Sequence, residues 1–257
     1  MSQLSKELIY FVEELAANAW PAAVVQVIDG WRLRFNWNIT RRANSVWPNG
    51  AGDCHTLAEK LAWVEAFYAR WGSPPRYQIC PAAQPGDLDV VLTRRGYTTE
   101  ARTAVQIASL PTVLAKTETD LAHNATVSET YDETWFAAYC EAEAVSDQAA
   151  QGRRGILGRI GPRVGYALLR FEDQPVGMGL AVMERGWVGV FSMATPPQSR
   201  RRGFATAVLH ALAKWGQTHG AERMYLQVME DNAPARALYE KVGFETLYHY
   251  HYRQMAQ

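Results

Sequence analysis

After Gly203 the apolar residues fall into a helical rhythm. Phe204, Val208 and Leu212 recur every four positions, Ala205, Leu209 and Ala213 lie beside them, and Gly220 closes the run. Upstream the rhythm is that of strands. Val164–Phe171, Val176–Met183 and Trp187–Met193 are predicted strands, joined by Glu172-Asp173-Gln174 and Glu184-Arg185-Gly186, connections short enough for hairpins. Beyond the helix, Met224–Met229 predicts a short strand, Ala233–Val242 a helix stopped by Gly243, and Thr246–Arg253 a further strand. Ala125–Thr130 predicts a strand ahead of helical stretches at Asp132–Val145 and Gln148–Ile160. The second half therefore reads as strand, two helices, three strands, helix, strand, helix, strand, which is a mixed α/β sheet domain.

The first half opens on an amphipathic segment, Met1–Ala19, in which Lys6, Glu7, Glu13 and Glu14 interrupt the apolar positions. It then repeats the tail of the later order: helix Thr56–Arg70, strand Arg76–Ile79, short helix Leu88–Arg95 and strand Tyr97–Ser109. Setting Gly96-Tyr97 on Gly243-Phe244 lays Leu-Thr-Arg-Arg-Gly-Tyr over Tyr-Glu-Lys-Val-Gly-Phe and puts Leu92 where Tyr239 stands. The polar stretch Leu110–Asn124 is the natural connection. The expected organisation is an N-terminal domain over 1–110, a linker over 111–124 and a catalytic domain over 125–257.

Composition narrows the function classes. The 257 residues carry 26 basic and 26 acidic side chains, and the two halves on either side of Ala122 are each balanced, so no global field favours nucleic acid or an acidic membrane. Cys54, Cys80 and Cys140 are odd in number and widely spaced, which suits reduced thiols in a cytoplasmic protein. The N-terminal segment does not have the pattern of a signal peptide, and no apolar run approaches membrane-spanning length.

The segment that carries chemistry is Thr195-Pro-Pro-Gln-Ser-Arg-Arg-Arg-Gly-Phe-Ala-Thr206. It leaves a strand, turns through two prolines and enters a helix at a glycine. Backbone N–H groups at a helix start lack intrahelical partners, and the dipole there is positive. Gly203 and Ala205 let a diphosphate approach the main chain, and Arg200, Arg201 and Arg202 add charge and paired donors.

This segment resembles the signature of the GNAT acetyltransferase superfamily, Arg/Gln-x-x-Gly-x-Gly/Ala after a strand, with Arg200, Gly203 and Ala205 in place and Pro197 three residues earlier. Leu226-Gln-Val-Met-Glu-Asp-Asn-Ala-Pro-Ala-Arg-Ala-Leu-Tyr-Glu-Lys-Val-Gly-Phe244 resembles a second block of the same family. The resemblance covers roughly Ala125 to Arg253. It implies acetyl-CoA as acyl donor, with pyrophosphate on the amides of Arg200, Arg201, Arg202, Gly203, Phe204, Ala205 and Thr206. It also implies pantetheine against the backbone of Met193, Ala194 and Thr195, in a splay between the strand ending at Met193 and the strand beginning at Met224. Asn232 would cap a helix and face the cofactor, and Tyr239 would protonate the departing thiolate. The first half resembles a partial, degenerate copy of the GNAT domain, without the cradle and with Leu92 in the acid's place.

One departure matters. Trp187–Met193 carries no carboxylate where some members hold a general base, leaving Glu141, Glu143 and Asp147 as candidates. His249 and His251 share a strand face, but no third ligand is apparent and no metal is expected. Arg153, Arg154, Arg159 and Arg163 read as a solvated helix face rather than an acceptor site. Trp31, Trp37 and Trp47 surround the polar run Thr40–Ser45, either lining a pocket or framing a capped turn. The expected function is acetyl transfer from acetyl-CoA to a primary amine by direct attack in a ternary complex. A small-molecule acceptor is favoured over protein, with nucleic acid and membrane excluded as partners and a homodimer left open. The alternative is a catalytically silent acyl-CoA-binding module.

Overall fold

The structure is a computed structural model that describes residues 3–255, and its contacts divide the chain into two compact units. Unit 1 comprises residues 1–104 and 248–257; unit 2 comprises residues 105–247.

Unit 1 opens on helix α1 (Gln3–Ala19), whose Ile9, Val12, Leu15 and Ala16 are buried. Strands β1 (Val24–Ile28) and β2 (Trp31–Phe35) form a hairpin closed by Asp29-Gly30, both at positive φ, the pair that a two-residue turn of matching twist requires. β3 (Val46–Trp47) follows, then helix α2 (Leu57–Ala69), whose Thr56 and Glu59 make a reciprocal capping box. Next come β4 (Arg76–Ile79), helix α3 (Leu88–Arg94) and the first part of β5 (Tyr97–Ser109). β3 runs parallel to β4, and the later part of β11 (Glu245–Met255) pairs antiparallel with β4. Trp31, Leu33, Tyr68, Tyr77, Leu88 and Leu92 lie at the heart of the core. Trp31 and Trp47 are thus core residues, while Trp37 is exposed. The Thr40–Ser45 run is a turn organised by Asn44, which accepts from the amides of Asn36 and Asn38 and donates to the carbonyls of Ile39 and Thr40.

Unit 2 takes the remainder of β5 and continues through α4 (Leu110–Thr117), β6 (Ala125–Ser128), α5 (Glu133–Ala142), α6 (Asp147–Leu157), β7 (Arg163–Phe171) and β8 (Gln174–Glu184). It then adds β9 (Trp187–Ala194), α7 (Phe204–Thr218), β10 (Arg223–Met229), α8 (Ala233–Lys241) and the start of β11. Its strand order is β5-β10-β9-β8-β7-β6, antiparallel from β6 to β9 and parallel between β9 and β10. The fold class is mixed α/β, as the sequence predicts. Residues 110–124 are structured: α4 packs on α7, and Asp120–Asn124 form a 3-10 turn.

Two helices fix the geometry of unit 2. α7 lies on β8 at Gly177 and Gly179, where an added Cβ would stand 2.9 Å from Val208 Cγ2 and 2.6 Å from Met193 Sδ respectively. α5 covers the opposite face, since Gly165 meets Trp215 of α7 while its neighbour Tyr166 meets Trp135 of α5. Trp135 anchors that side by donating to the Ala167 carbonyl at 2.9 Å.

Candidate active site

The site begins with the ending of β9. Its parallel register with β10 runs from Arg223↔Trp187 to Leu226↔Val190 and goes no further, so Ser192, Met193 and Ala194 extend beyond the paired stretch. On the other side, Leu180 pairs with Phe191 but Met178 pairs with Ala194, which inserts one extra residue into β9. Ser192 takes up the bulge at φ 48°. The strand thus turns main-chain groups near Met193 away from a continuous ladder.

The chain then passes through Pro196 and a short 3-10 turn, Pro197–Ser199, into the arginine loop. Arg200 Nε donates to the Thr195 carbonyl at 3.2 Å, tying the loop to the strand end. Arg202 places its guanidinium 4.9 Å from both the Phe171 and Phe204 ring centroids, which holds that side chain by cation–π contact. Arg201 is exposed at φ 61°. Gly203 at φ 84° is the N-cap of α7 and offers no side-chain cap, a conformation in which any Cβ is strained. The first intrahelical bond recorded is Ala207 N–H to the Gly203 carbonyl, so the amides of Phe204, Ala205 and Thr206 open onto the loop with neither cap nor helical partner. Chemically this is an anion cradle: orphan donors, a positive dipole end and three arginines.

Asn232 caps α8, its Oδ1 accepting from Ala235 N–H at 3.2 Å. Tyr239 stands on α8 with its ring 5.9 Å from Phe244. Burial pushes its hydroxyl up to about 12. The three carboxylates considered as bases, Glu141, Glu143 and Asp147, are all exposed at the end of α5 and the start of α6. Two other groups reach β9 instead. Tyr139 of α5 is buried with Ser192 within hydrogen-bonding reach, and Arg153 of α6 donates from Nη1 to the Tyr139 hydroxyl. Arg153 is half-buried, which corrects its reading as part of a solvated face; Arg154, the exposed neighbour, does pair outward with Glu133. A sequence pattern could not flag this cluster, because its members lie on three elements with no fixed spacing.

With this geometry in view, the comparisons are specific. Residues 8–255 match the family model described as "Probable histone acetyltransferase Rv0428c C-terminal". The chain belongs to that family, within the GNAT N-acetyltransferases. Among GNAT relatives, the Bacillus subtilis protein YobR, named an uncharacterized N-acetyltransferase, is 29% identical over 94% of this chain and 96% of its own length. The probable histone acetyltransferase Rv0428c of Mycobacterium tuberculosis is also 29% identical, over 94% of this chain and 72% of its own. The solved GCN5-related N-acetyltransferase from Kribbella flavida superposes with a TM-score of 0.71 at 16% identity, covering 100% of this chain and 97% of that one, which shows the shared GNAT fold.

In the GNAT chain the remaining candidates fall outside this site. His251 and Arg253 both bond Asp89, in unit 1. Leu92 is fully buried there. Among the described residues, no three His, Cys, Asp or Glu groups gather as metal ligands, and no helix is long and apolar enough to cross a membrane.

Proposed function

We propose that this GNAT protein transfers an acetyl group from acetyl-CoA to a primary amine by direct attack, in a ternary complex. The observation that carries the reading is the continuous segment Met193–Thr206. A strand end released from its neighbour leads through one short 3-10 turn into an uncapped, arginine-flanked helix start. The fit to a diphosphate lies in those orphan amides, which no described residue caps.

Acetyl-CoA supplies the acetyl thioester. The amides from Arg201 to Thr206 hold its pyrophosphate, the Arg200 amide expected with them being bonded instead to the Pro197 carbonyl at 3.4 Å, and the backbone of Met193 to Thr195 aligns the pantetheine arm. A main-chain N–H near Met193 stabilises the oxyanion that forms as the acceptor nitrogen bonds to the carbonyl carbon. As the carbon–sulfur bond breaks, Tyr239 gives its proton to the sulfur and is reprotonated from solvent, while the proton lost by the amine also goes to solvent. The acceptor we favour is a small molecule. The rival of a silent acyl-CoA-binding module rests on β9 carrying no carboxylate.

Calorimetric titration of acetyl-CoA, with Gly203→Asp in parallel, tests the reading. Micromolar binding that the carboxylate abolishes is expected, because it sets a negative charge on the cradle and strains the backbone. Undiminished binding by Gly203→Asp would remove the cradle from the proposal. Binding without thiol release for any amine would leave the silent module.

A further inference from the structure

The cluster formed by Tyr139, Arg153 and Ser192 points past the reaction type to the class of acceptor. Arg153 lies over the Tyr139 ring, its guanidinium carbon 5.4 Å from the ring centroid, and Nη1 is spent on the Tyr139 hydroxyl. Its Nε is buried and has no hydrogen-bond partner among the described residues. Among the described residues no carboxylate is recorded paired with it: Glu133, which also acts on Cys140 alongside Arg153, is taken by Arg154, and Glu143 stays exposed. A buried guanidinium donor without a partner is costly, and a carboxylate oxygen is the acceptor that suits it best. Among the described residues no group accepts from that Nε.

Location gives that donor its meaning. Tyr139 links Arg153 to Ser192, and Ser192 sits in the β9 bulge directly before Met193, whose main chain the proposed function places at the acetyl carbonyl. Arg153 and Ser192 therefore meet at one hydroxyl, that of Tyr139. A group held by Arg153 lies within a few atoms of an amine reacting beside Met193.

We propose that Arg153 binds a carboxylate on the acceptor, so that the substrate is a compact amine carrying a free carboxylate, of amino-acid size. This rests on the acetyltransferase reading of the Met193–Thr206 segment. Arg153 acts as a specificity residue: it contacts the acceptor and leaves acetyl-CoA untouched.

The test is a panel of amino acids offered as matched free acids and carboxamides, with short peptides amidated at the C-terminus as a third arm. Each is assayed by thiol release with the intact protein, Arg153→Met and Arg153→Lys. Free acids should be preferred roughly 10- to 100-fold in kcat/KM, mainly through KM. Arg153→Met should erase the preference while leaving acetyl-CoA affinity unchanged, and Arg153→Lys should restore part of it. Equal use of acids and amides, a preference that survives Arg153→Met, or better turnover of the amidated peptides would each overturn the proposal. Calorimetry of the same ligand pairs on protein saturated with CoA reads the site without turnover. Acid-selective binding that needs Arg153 supports the carboxylate site even if no amine is acetylated, an outcome that would instead sink the transferase reading. Binding that ignores the carboxylate overturns the proposal.

Discussion

Tyr239 and Arg153 set the terms at the residue scale. An acid in catalysis must hold its proton, and it is lost as pH rises through its pKa. Burial moves the Tyr239 hydroxyl up to about 12, so the protonated form persists beyond the ordinary tyrosine range. A pH profile of kcat should therefore show no alkaline loss from this group below about pH 11. Tyr239→Phe should lower kcat by roughly 10²-fold with acetyl-CoA affinity kept; an unchanged kcat would take the proton from another source. Legibility differs sharply between these two residues. Gly203 stands in one short motif block and Asn232 and Tyr239 in a second, each at fixed offsets, so the sequence alone singles them out as candidates. Arg153 sits 14 residues from Tyr139 across a turn, and Ser192 lies on a strand beyond. Only the packing of α5 and α6 against the sheet brings them together.

At the scale of elements, α7 is positioned by what β8 lacks. Gly177 and Gly179 present no side chains to Val208 and Leu212, so the helix lies close to the sheet and its uncapped start is fixed relative to β9. Gly179→Ala would set a methyl group 2.6 Å from Met193 Sδ and 3.0 Å from Leu212 Cδ1. It should cost about 1–3 kcal/mol in urea denaturation, with acetyl-CoA affinity falling as Met193 shifts. A variant as stable as the parent would mean that the methionine side chain absorbs the change. Elements of this kind were largely readable: β4 and β5 fall at Arg76–Ile79 and Tyr97–Ser109 as the pattern predicts. The β1–β2 hairpin, which turns at Asp29-Gly30, has no place in the sequence reading, because its strands are too short and too mixed in polarity to stand out by alternation. The α2–β4–α3–β5 series of unit 1 and the α7–β10–α8–β11 series of unit 2 match in order. Gly96 and Gly243, both at positive φ, end the corresponding helices.

For the whole molecule, the division into units cuts across chain order. Tyr248, Tyr250 and Tyr252 belong to the core of unit 1. Tyr248 donates to Glu13 at 2.7 Å, a buried carboxylate of α1 that also accepts from Trp47 and Gln78. Burial raises the Glu13 carboxyl above its ordinary range, while Tyr248, Arg34 and Trp47 pull it back. A truncation after Leu247 should therefore unfold unit 1, where six of the nine tryptophans lie, and shift tryptophan emission to the red. Emission identical to the full chain's would show that β4 and Glu13 do without the missing strand. No local pattern reveals such a dependence, because it joins residues 235 positions apart.

The same discontinuity bears on how the protein is made. Some 140 residues of unit 2 separate Ala104 from Tyr248, so a ribosome adding 5–20 residues per second needs on the order of ten seconds to deliver the strand that completes unit 1. During that interval β4 has an unpaired edge and Glu13 lacks one of its donors, whereas most of unit 2 is already in hand as a contiguous stretch. Unit 2, though later in the sequence, is the first that can finish folding. The nascent N-terminal segment must wait for it, with one strand edge open to mispairing until the chain is finished.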